Sequence, residues 1–247
     1  MLKKLALATA LLAGLGTAHA YQTEVGASID LIDRDQGGSD VGFAIDGTYY
    51  FNSVQVKNSP LNEAAFLNRA SNINAAVSYI DYDVSDVTTF DVGVEYFVPN
   101  SDFYLSGNIT HFDNDAGDIT GYAAEAGYLP VPGLLVALGL VGISEDNADD
   151  EIDPTLRAKY VTQVGQYDMN FEGGASFGDI DAYNLGADLY LDKTFSVGLG
   201  FSDSDLEGND VFTIRAKKFF NQQVSLEGSI NFADNADTFG VRGAYRF

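Results

Sequence analysis

The sequence contains no cysteine, which excludes disulfide bonds and thiolate metal sites. It also has no run of 18 apolar residues, and the longest candidate, residues 133–143, has the length of one barrel strand rather than of a spanning helix. Basic residues are few, with 13 Lys and Arg against 36 Asp and Glu, for a net charge of -23. This balance argues against nucleic acid as a partner. Strand pairing and packing must therefore hold the fold together.

Histidine is scarce as well, and this bears on catalysis. Outside the N-terminal segment only His111 remains, so a Ser-His-acid triad would depend on it entirely. Its parity within a predicted strand points outward to the rim, so a membrane hydrolase is the least supported hypothesis. Neighbouring acids could bind Ca²⁺, but they lack the ligand spacing with a turn glycine, and we interpret them as solvated loop charge. These acids are Asp149, Asp150, Glu151 and Asp153. We predict no catalytic residue, no metal and no cofactor.

The first 20 residues are typical of a secretory signal peptide. Lys3 and Lys4 precede an apolar run, and Ala18-His19-Ala20 matches the small-x-small pattern of a cleavage site. We therefore predict that residues 1–20 are removed, that the mature chain starts at Tyr21, and that residues 21–247 form one exported domain.

The chain ends in an alternating strand that closes on Phe247. Phe239 and Val241 would meet lipid, whereas Arg242 and Arg246 on the other face need water or partners. A terminal Phe resembles the signal read by the barrel assembly machinery. We therefore expect location in a Gram-negative outer membrane, with that machinery, membrane lipid and lipopolysaccharide as partners.

Alternation of apolar and polar residues predicts an all-β fold, a transmembrane antiparallel up-and-down β-barrel of about fourteen strands. A soluble β-sandwich would also alternate, but it would not combine a signal peptide with a terminal aromatic strand. The predicted strands span residues 22–32, 41–51, 72–82, 89–98, 103–112, 119–129, 134–143, 155–164, 167–177, 182–191, 195–202, 211–220, 224–232 and 238–247.

Turn lengths predict how the barrel is oriented. The even-numbered connections are mostly short and belong on the periplasmic side, whereas longer acidic loops face outside. Twelve aromatic residues at the predicted periplasmic strand ends indicate a girdle at that interface. They are Phe51, Tyr96, Phe97, Phe103, Tyr104, Tyr128, Tyr190, Phe195, Phe219, Phe220, Tyr245 and Phe247.

One periplasmic connection, residues 52–70, is too long for a turn. Within it Ser59 is a predicted N-cap, Pro60 lies in the first turn and Glu63 lies near the positive end of a short helix. This helix either caps the barrel edge or plugs the lumen, and both arrangements narrow a pore. The candidate residues are Pro60, Leu61, Glu63, Phe66, Leu67 and Arg69.

Charged residues with inward parity are the candidate pore lining. The basic ones are Arg157, Lys159, Arg215, Lys217, Arg242 and Arg246. The acidic ones are Glu24, Asp46, Asp91, Glu95, Glu125, Glu172, Asp188 and Glu227. Opposed clusters would create a transverse field that selects solutes. The charges can also neutralise one another as ion pairs in the wall, and the two arrangements are not exclusive. In both cases the surplus of carboxylates favours cations.

Several segments resemble one family of proteins. Residues 60–71 read Pro-Leu-Asn-Glu-Ala-Ala-Phe-Leu-Asn-Arg-Ala-Ser, and further pieces are Arg157 to Val161, Ala182 to Leu191, Ser196 to Gly198 and the closing Arg246-Phe247. They are similar to a family of bacterial outer-membrane porins related to the carbapenem-associated porin of water-channel type. The resemblance implies a monomeric, fourteen-stranded passive channel for small polar solutes, gated by inward-folded segments. The extracellular loops are shorter here than in typical members.

Two functional hypotheses follow. The first is a porin that lets water, ions and small polar solutes diffuse through a narrow, cation-preferring lumen. The second is a non-conducting structural or surface-binding barrel that residues 52–70 close. Conductance in a planar bilayer distinguishes the two.

Overall fold

A computed structural model describes residues 20–35, 37–82, 86–114, 117–145, 151–178, 181–205 and 210–247. The predicted signal peptide lies outside the described residues up to position 19. Fourteen strands are present: β1 (Ala20–Arg34), β2 (Ser39–Gln55), β3 (Asn72–Asp81), β4 (Asp86–Phe97), β5 (Phe103–Asn114), β6 (Gly117–Val131), β7 (Leu134–Glu145), β8 (Glu151–Val164), β9 (Tyr167–Ser176), β10 (Ala182–Asp192), β11 (Phe195–Ser204), β12 (Val211–Phe219), β13 (Val224–Ala233) and β14 (Ala236–Arg246).

The strands form one closed antiparallel barrel in which each strand pairs with its neighbours in sequence. The seam joins β1 to β14, with Glu24 opposite Arg246 and Leu31 opposite Phe239. Closure leaves no unpaired sheet edge, as a membrane requires. The predicted all-β barrel of fourteen strands is confirmed. Because the strand number is even, both termini lie at the same end, which we call the periplasmic end, following the predicted orientation.

The two faces of the wall differ in polarity. Large apolar side chains with outward parity are highly exposed, for example Ile45 at 64% and Leu138 at 67%. Alternate residues such as Asp46 and Glu125 point into the barrel, because successive side chains of a strand point to opposite faces. The outer face is therefore suited to lipid and the inner face to water.

The periplasmic aromatic girdle is smaller than predicted. Six of the predicted members are exposed: Phe51, Tyr96, Phe103, Tyr128, Phe220 and Phe247. Four of the other predicted members are buried instead, because their parity directs them into the barrel. They are Phe97, Tyr104, Tyr190 and Phe219.

The long connection between β2 and β3 spans residues 56–71, since β2 continues to Gln55 beyond the predicted start of the connection at residue 52. We call residues 56–71 the periplasmic segment. It contains a 3₁₀ turn (Leu61–Glu63) and a single helical turn, α1 (Ala64–Leu67). The prediction of Ser59 as N-cap is wrong, because Pro60 precedes the turn and no side chain caps it. Among the described residues, none of the helices is long and apolar enough to cross a bilayer.

Gly133 in the β6–β7 turn offers a test of backbone fit. Its φ is +81°, and a Cβ there would overlap the carbonyl oxygen of Val161 on β8. We expect Gly133→Ala to lower the free energy of unfolding by about 2–5 kcal/mol, because the overlap costs about 1–3 kcal/mol in addition to about 1–2 kcal/mol for the left-handed backbone. Denaturant unfolding of the folded barrel in detergent measures the loss.

Gly165 in the β8–β9 turn is the matched control. It has φ +64° and no atom within 4 Å of an added Cβ, so Gly165→Ala carries the backbone strain alone. Equal losses in the two variants would contradict the packing argument for Gly133.

Candidate functional site

The basic residues of the lumen lie on β8, β12 and β14, and each meets a carboxylate. Arg157 Nη2 is 2.8 Å from Glu125 Oε2, and Arg215 Nε is 2.7 Å from Asp188 Oδ1. Lys217 Nζ lies 3.1 Å from Glu227 Oε2. These pairs join strands that are adjacent or separated by one strand.

The seam carries a second network. Arg242 Nη2 is 2.5 Å from Asp46 Oδ2 and 3.2 Å from Glu24 Oε1. Arg246 Nε donates to Glu24 Oε2 at 2.5 Å. The guanidinium carbon of Arg246 also lies 4.5 Å from the ring centroid of Tyr21 and 4.4 Å from that of Phe219. Glu24 of β1 thus pairs with two arginines of β14, Arg242 and Arg246.

The positions of these charges can be compared with the two predicted arrangements, opposed charge clusters and ion pairs in the wall. All six basic candidates contact acidic residues nearby in the wall or the periplasmic segment. All six lie on β8 to β14, whereas the charged candidates on β1 to β6 are all acidic. The structure thus contains ion pairs in the wall, and the charge also differs between the two halves of the barrel.

Asp91 and Glu95 on β4 differ from the other acidic candidates, since the described residues form no ion pair with either. Asn108 Nδ2 and Thr110 Oγ1 donate to Asp91 Oδ2 at 2.8 and 2.7 Å. Tyr104 donates to Glu95 Oε1 at 2.6 Å, and Arg157 contacts the same hydroxyl at 3.1 Å. Glu95 is thus linked to a cation through Tyr104, whereas Asp91 has neutral partners.

Glu63 fastens the periplasmic segment to the wall. Its side chain is only 4% exposed, with Lys159 Nζ 3.0 Å from Oε2. The Tyr190 hydroxyl donates to Oε1 at 2.5 Å. Lys159 also pairs with Glu172. These contacts tie the segment to β8 and β10.

Other contacts bring the segment to the remaining sides of the barrel. Arg246 Nη1 on β14 donates to the Leu61 carbonyl at 2.8 Å. The Phe66 ring packs on Phe97 of β4 with centroids 6.4 Å apart, and Lys159 Nζ lies 5.2 Å from its centroid. Because inward side chains of well-separated strands meet it, the segment lies within the periplasmic end of the barrel.

The remaining candidate residues of the periplasmic segment flank or begin and end its short helical stretch. Pro60 and Leu61 are buried, and Leu67 is partly buried beside Gly133. Arg69 has a positive φ of 51° and pairs with Asp102 at 2.9 Å, a more exposed contact than that of Glu63.

A cavity of about 560 Å³ lies between the segment and the charged wall. Asn62, Glu63 and Phe66 line one side, and Arg157 and Glu172 are among the wall residues. Several polar residues of the cavity lining were not among the predicted site residues, although their inward parity is a signal that identifies them. They are Asn72, Asn74 and Asn170.

His111 lies away from this cavity. It is opposite Phe90, an exposed residue of the outer face, and its Nδ1 is 3.0 Å from Thr120 Oγ1. Of the acids considered for Ca²⁺, Asp149 and Asp150 lie outside the described residues. Within the described ranges, no group of three or more His, Asp or Glu residues is placed to hold a metal ion.

A closed barrel with an apolar outer face and a charged, ion-paired interior is typical of channel-type barrels of the outer membrane. The family model described as "Putative general bacterial porin" matches residues 2–152. The chain therefore belongs to this family of bacterial porins, and its location is the outer membrane. Family and fold indicate a channel rather than an enzyme.

Solved structures agree with this assignment. The crystal structure of the Acinetobacter baumannii outer membrane protein Omp33 is similar, with a TM-score of 0.78 and 30% identity over 94% of this chain and 100% of that chain. The CymD monoaromatic hydrocarbon channel has a TM-score of 0.58 and 9% identity over 92% and 89%, a likeness of fold alone. No curated protein matches the chain.

Proposed function

We propose that the protein is a passive diffusion channel for water, inorganic ions and small polar solutes, with a preference for cations. The observation that carries this proposal is the imbalance of lumen charge. Every basic lumen candidate is already paired with a carboxylate, whereas Asp91 has neutral partners. The lumen field is therefore negative, which concentrates cations.

The extracellular end adds to this field. In the turn between β13 and β14, the nearby charge of Asp210 raises the pKa of Asp234. The shift arises because two carboxylates that lie close together disfavour their joint ionisation. Acidic charge at this entrance attracts cations before they reach the lumen.

Single-channel recording in a planar bilayer tests the proposal. The purified refolded protein should give discrete conductance steps, and a KCl gradient should give a reversal potential of the sign expected for cation preference. An anion-selective reversal potential would contradict the cation preference while leaving a channel.

Asp91→Asn should lower the ratio of K⁺ to Cl⁻ permeability by a factor on the order of two, because it removes a lumen charge that no basic residue neutralises. The reversal potential measures this change. Asp113→Asn, on the same hairpin but with outward parity opposite Thr88, changes the net charge equally and should leave the ratio near that of the natural chain. An equal effect of both variants would show that overall charge, not Asp91, sets the selectivity.

The second candidate, a non-conducting structural or surface-binding barrel, is favoured by the position of the periplasmic segment within the barrel end. Removal of residues 59–70 separates the two functions. Folded protein that is silent both before and after this deletion would support the structural barrel and contradict the channel.

The partners follow from the same proposal. We propose a monomer that sits among lipid and lipopolysaccharide, is inserted by the barrel assembly machinery through β14, and passes small polar solutes or ions. Crosslinking of the protein in native membranes checks the monomeric state.

A further inference from the structure

On the extracellular side of Asp91, the inner face of the barrel changes from polar to apolar. Val87 of β4 is opposite Ile80 of β3, and Phe112 of β5 is opposite Ile119 of β6. Ile143 of β7 joins them. We call Ile80, Val87, Phe112, Ile119 and Ile143 the apolar patch.

Register places the apolar patch on the same face as Asp91. Asp91 is opposite Thr110, Thr110 is opposite Gly121, and Gly121 is opposite Ile143. Val87 and Phe112 lie at even spacing from Asp91 and Thr110, so all of these side chains point into the barrel. The patch and the carboxylate are therefore neighbours on one stretch of inner wall.

In a membrane-spanning strand the outward side chains are apolar and the inward ones are polar. At the apolar patch this arrangement is reversed. At these strand ends the outward positions are polar, with Asp81 opposite Asp86 and Asp113 opposite Asp118. Phe112 and Ile143 each remain 38% exposed although they face the lumen. A contiguous apolar surface in contact with water marks a site where an apolar group binds.

Asp91 supplies a charge next to this surface. Both of its hydrogen bonds, from Asn108 and Thr110, reach Oδ2. In the part of the chain that the structure describes, Oδ1 accepts none. Asp91 Oδ1 can therefore accept a hydrogen bond from a bound cation.

We propose that Asp91 and the apolar patch bind organic ammonium ions that carry an apolar substituent. The ammonium group donates to Asp91 Oδ1, and the substituent packs on Phe112, Ile119 and Ile143. Small inorganic cations lack the apolar contact and neutral hydrocarbons lack the charge. The inference rests on the proposed channel in requiring that solutes reach the lumen from outside.

Calorimetric titration of the folded protein in detergent tests the site. Benzylammonium is the probe, methylammonium supplies the charge alone, and benzyl alcohol supplies the ring alone. We expect benzylammonium to bind about tenfold more tightly than methylammonium, because burial of the ring adds apolar contact area. Heats from micelles without protein are subtracted.

Variants divide the site into its two parts. Asp91→Asn should bring benzylammonium affinity down to that of benzyl alcohol, and Phe112→Ser should lower it toward that of methylammonium, because Ile119 and Ile143 still contact the ring. Asp113→Asn, with outward parity, should leave it unchanged, and unfolding in denaturant verifies that all variants are folded barrels.

The outcomes separate this inference from the channel function, because calorimetry does not need current. A conducting protein that binds benzylammonium no better than methylammonium, or equally well after Asp91→Asn, would overturn the site alone. A silent protein with Asp91-dependent binding would support the site and contradict the channel.

Discussion

A channel carrying Glu63→Ala is expected to spend far more time in a high-conductance state than the natural chain. Glu63 ties the periplasmic segment to Lys159 and Tyr190, and its side chain is almost completely buried. Without the carboxylate, the segment keeps its apolar contacts and the bond from Arg246 to the Leu61 carbonyl. The fastening to β8 and β10 is lost, so displacement of the segment from the lumen becomes easier.

The expected size follows from the loss of two hydrogen bonds to a buried carboxylate, each about 1.5–3 kcal/mol, while Lys159 keeps Glu172 as a partner. Since about 1.4 kcal/mol corresponds to a tenfold change in an equilibrium constant, the population with a displaced segment should rise by at least about a hundredfold. Planar-bilayer recording of open probability measures this rise directly.

Arg69→Ala is the matched control, because Arg69 belongs to the same segment and its pair with Asp102 is far more exposed. An exposed pair contributes only about 0–1 kcal/mol, so open probability should change by less than about tenfold. If both variants conduct like the natural chain while deletion of residues 59–70 raises conductance, the segment closes the pore without the aid of Glu63.

The barrel itself was predictable because lipid on one side and water on the other impose alternation on every strand. The predicted first two strands, residues 22–32 and 41–51, are shorter than the observed Ala20–Arg34 and Ser39–Gln55. Alternation locates the part of a strand that faces lipid, whereas pairing extends further. Ala20 opposite Gln55 is such an extension of the ladder.

The lumen charges were predictable by parity, but their partners were not. Glu63 and Tyr190 are 127 residues apart in sequence, and only closure of the barrel around the segment brings them together. Parity was not applied to the aromatic girdle, which was predicted from position along the strands. Tyr104 and Phe97 share the inward face with Glu95, and the same rule assigns them to the interior.

Arg246→Ala is expected to lower the free energy of unfolding by about 3 kcal/mol or more, because it removes one partner of a buried ion pair. Arg246 is 4% exposed and lies between the rings of Tyr21 and Phe219. It also binds Glu24 across the β1–β14 seam and the Leu61 carbonyl of the periplasmic segment. Loss of the Arg246 guanidinium therefore weakens both the β1–β14 seam and the attachment of the periplasmic segment. Urea unfolding of protein reconstituted in lipid vesicles gives the free energy.

Lys218→Ala provides the comparison, since Lys218 pairs with Asp192 at 3.5 Å and both side chains are well exposed. It should cost less than about 1 kcal/mol. Adding Glu24→Gln to Arg246→Ala should recover part of the loss, because no carboxylate then remains beside the missing guanidinium. The recovery is partial because Glu24 still contacts Arg242 in the Arg246→Ala variant. A loss no larger than that of Lys218→Ala would mean that strand pairing alone holds the seam, with the charge network serving only the lumen.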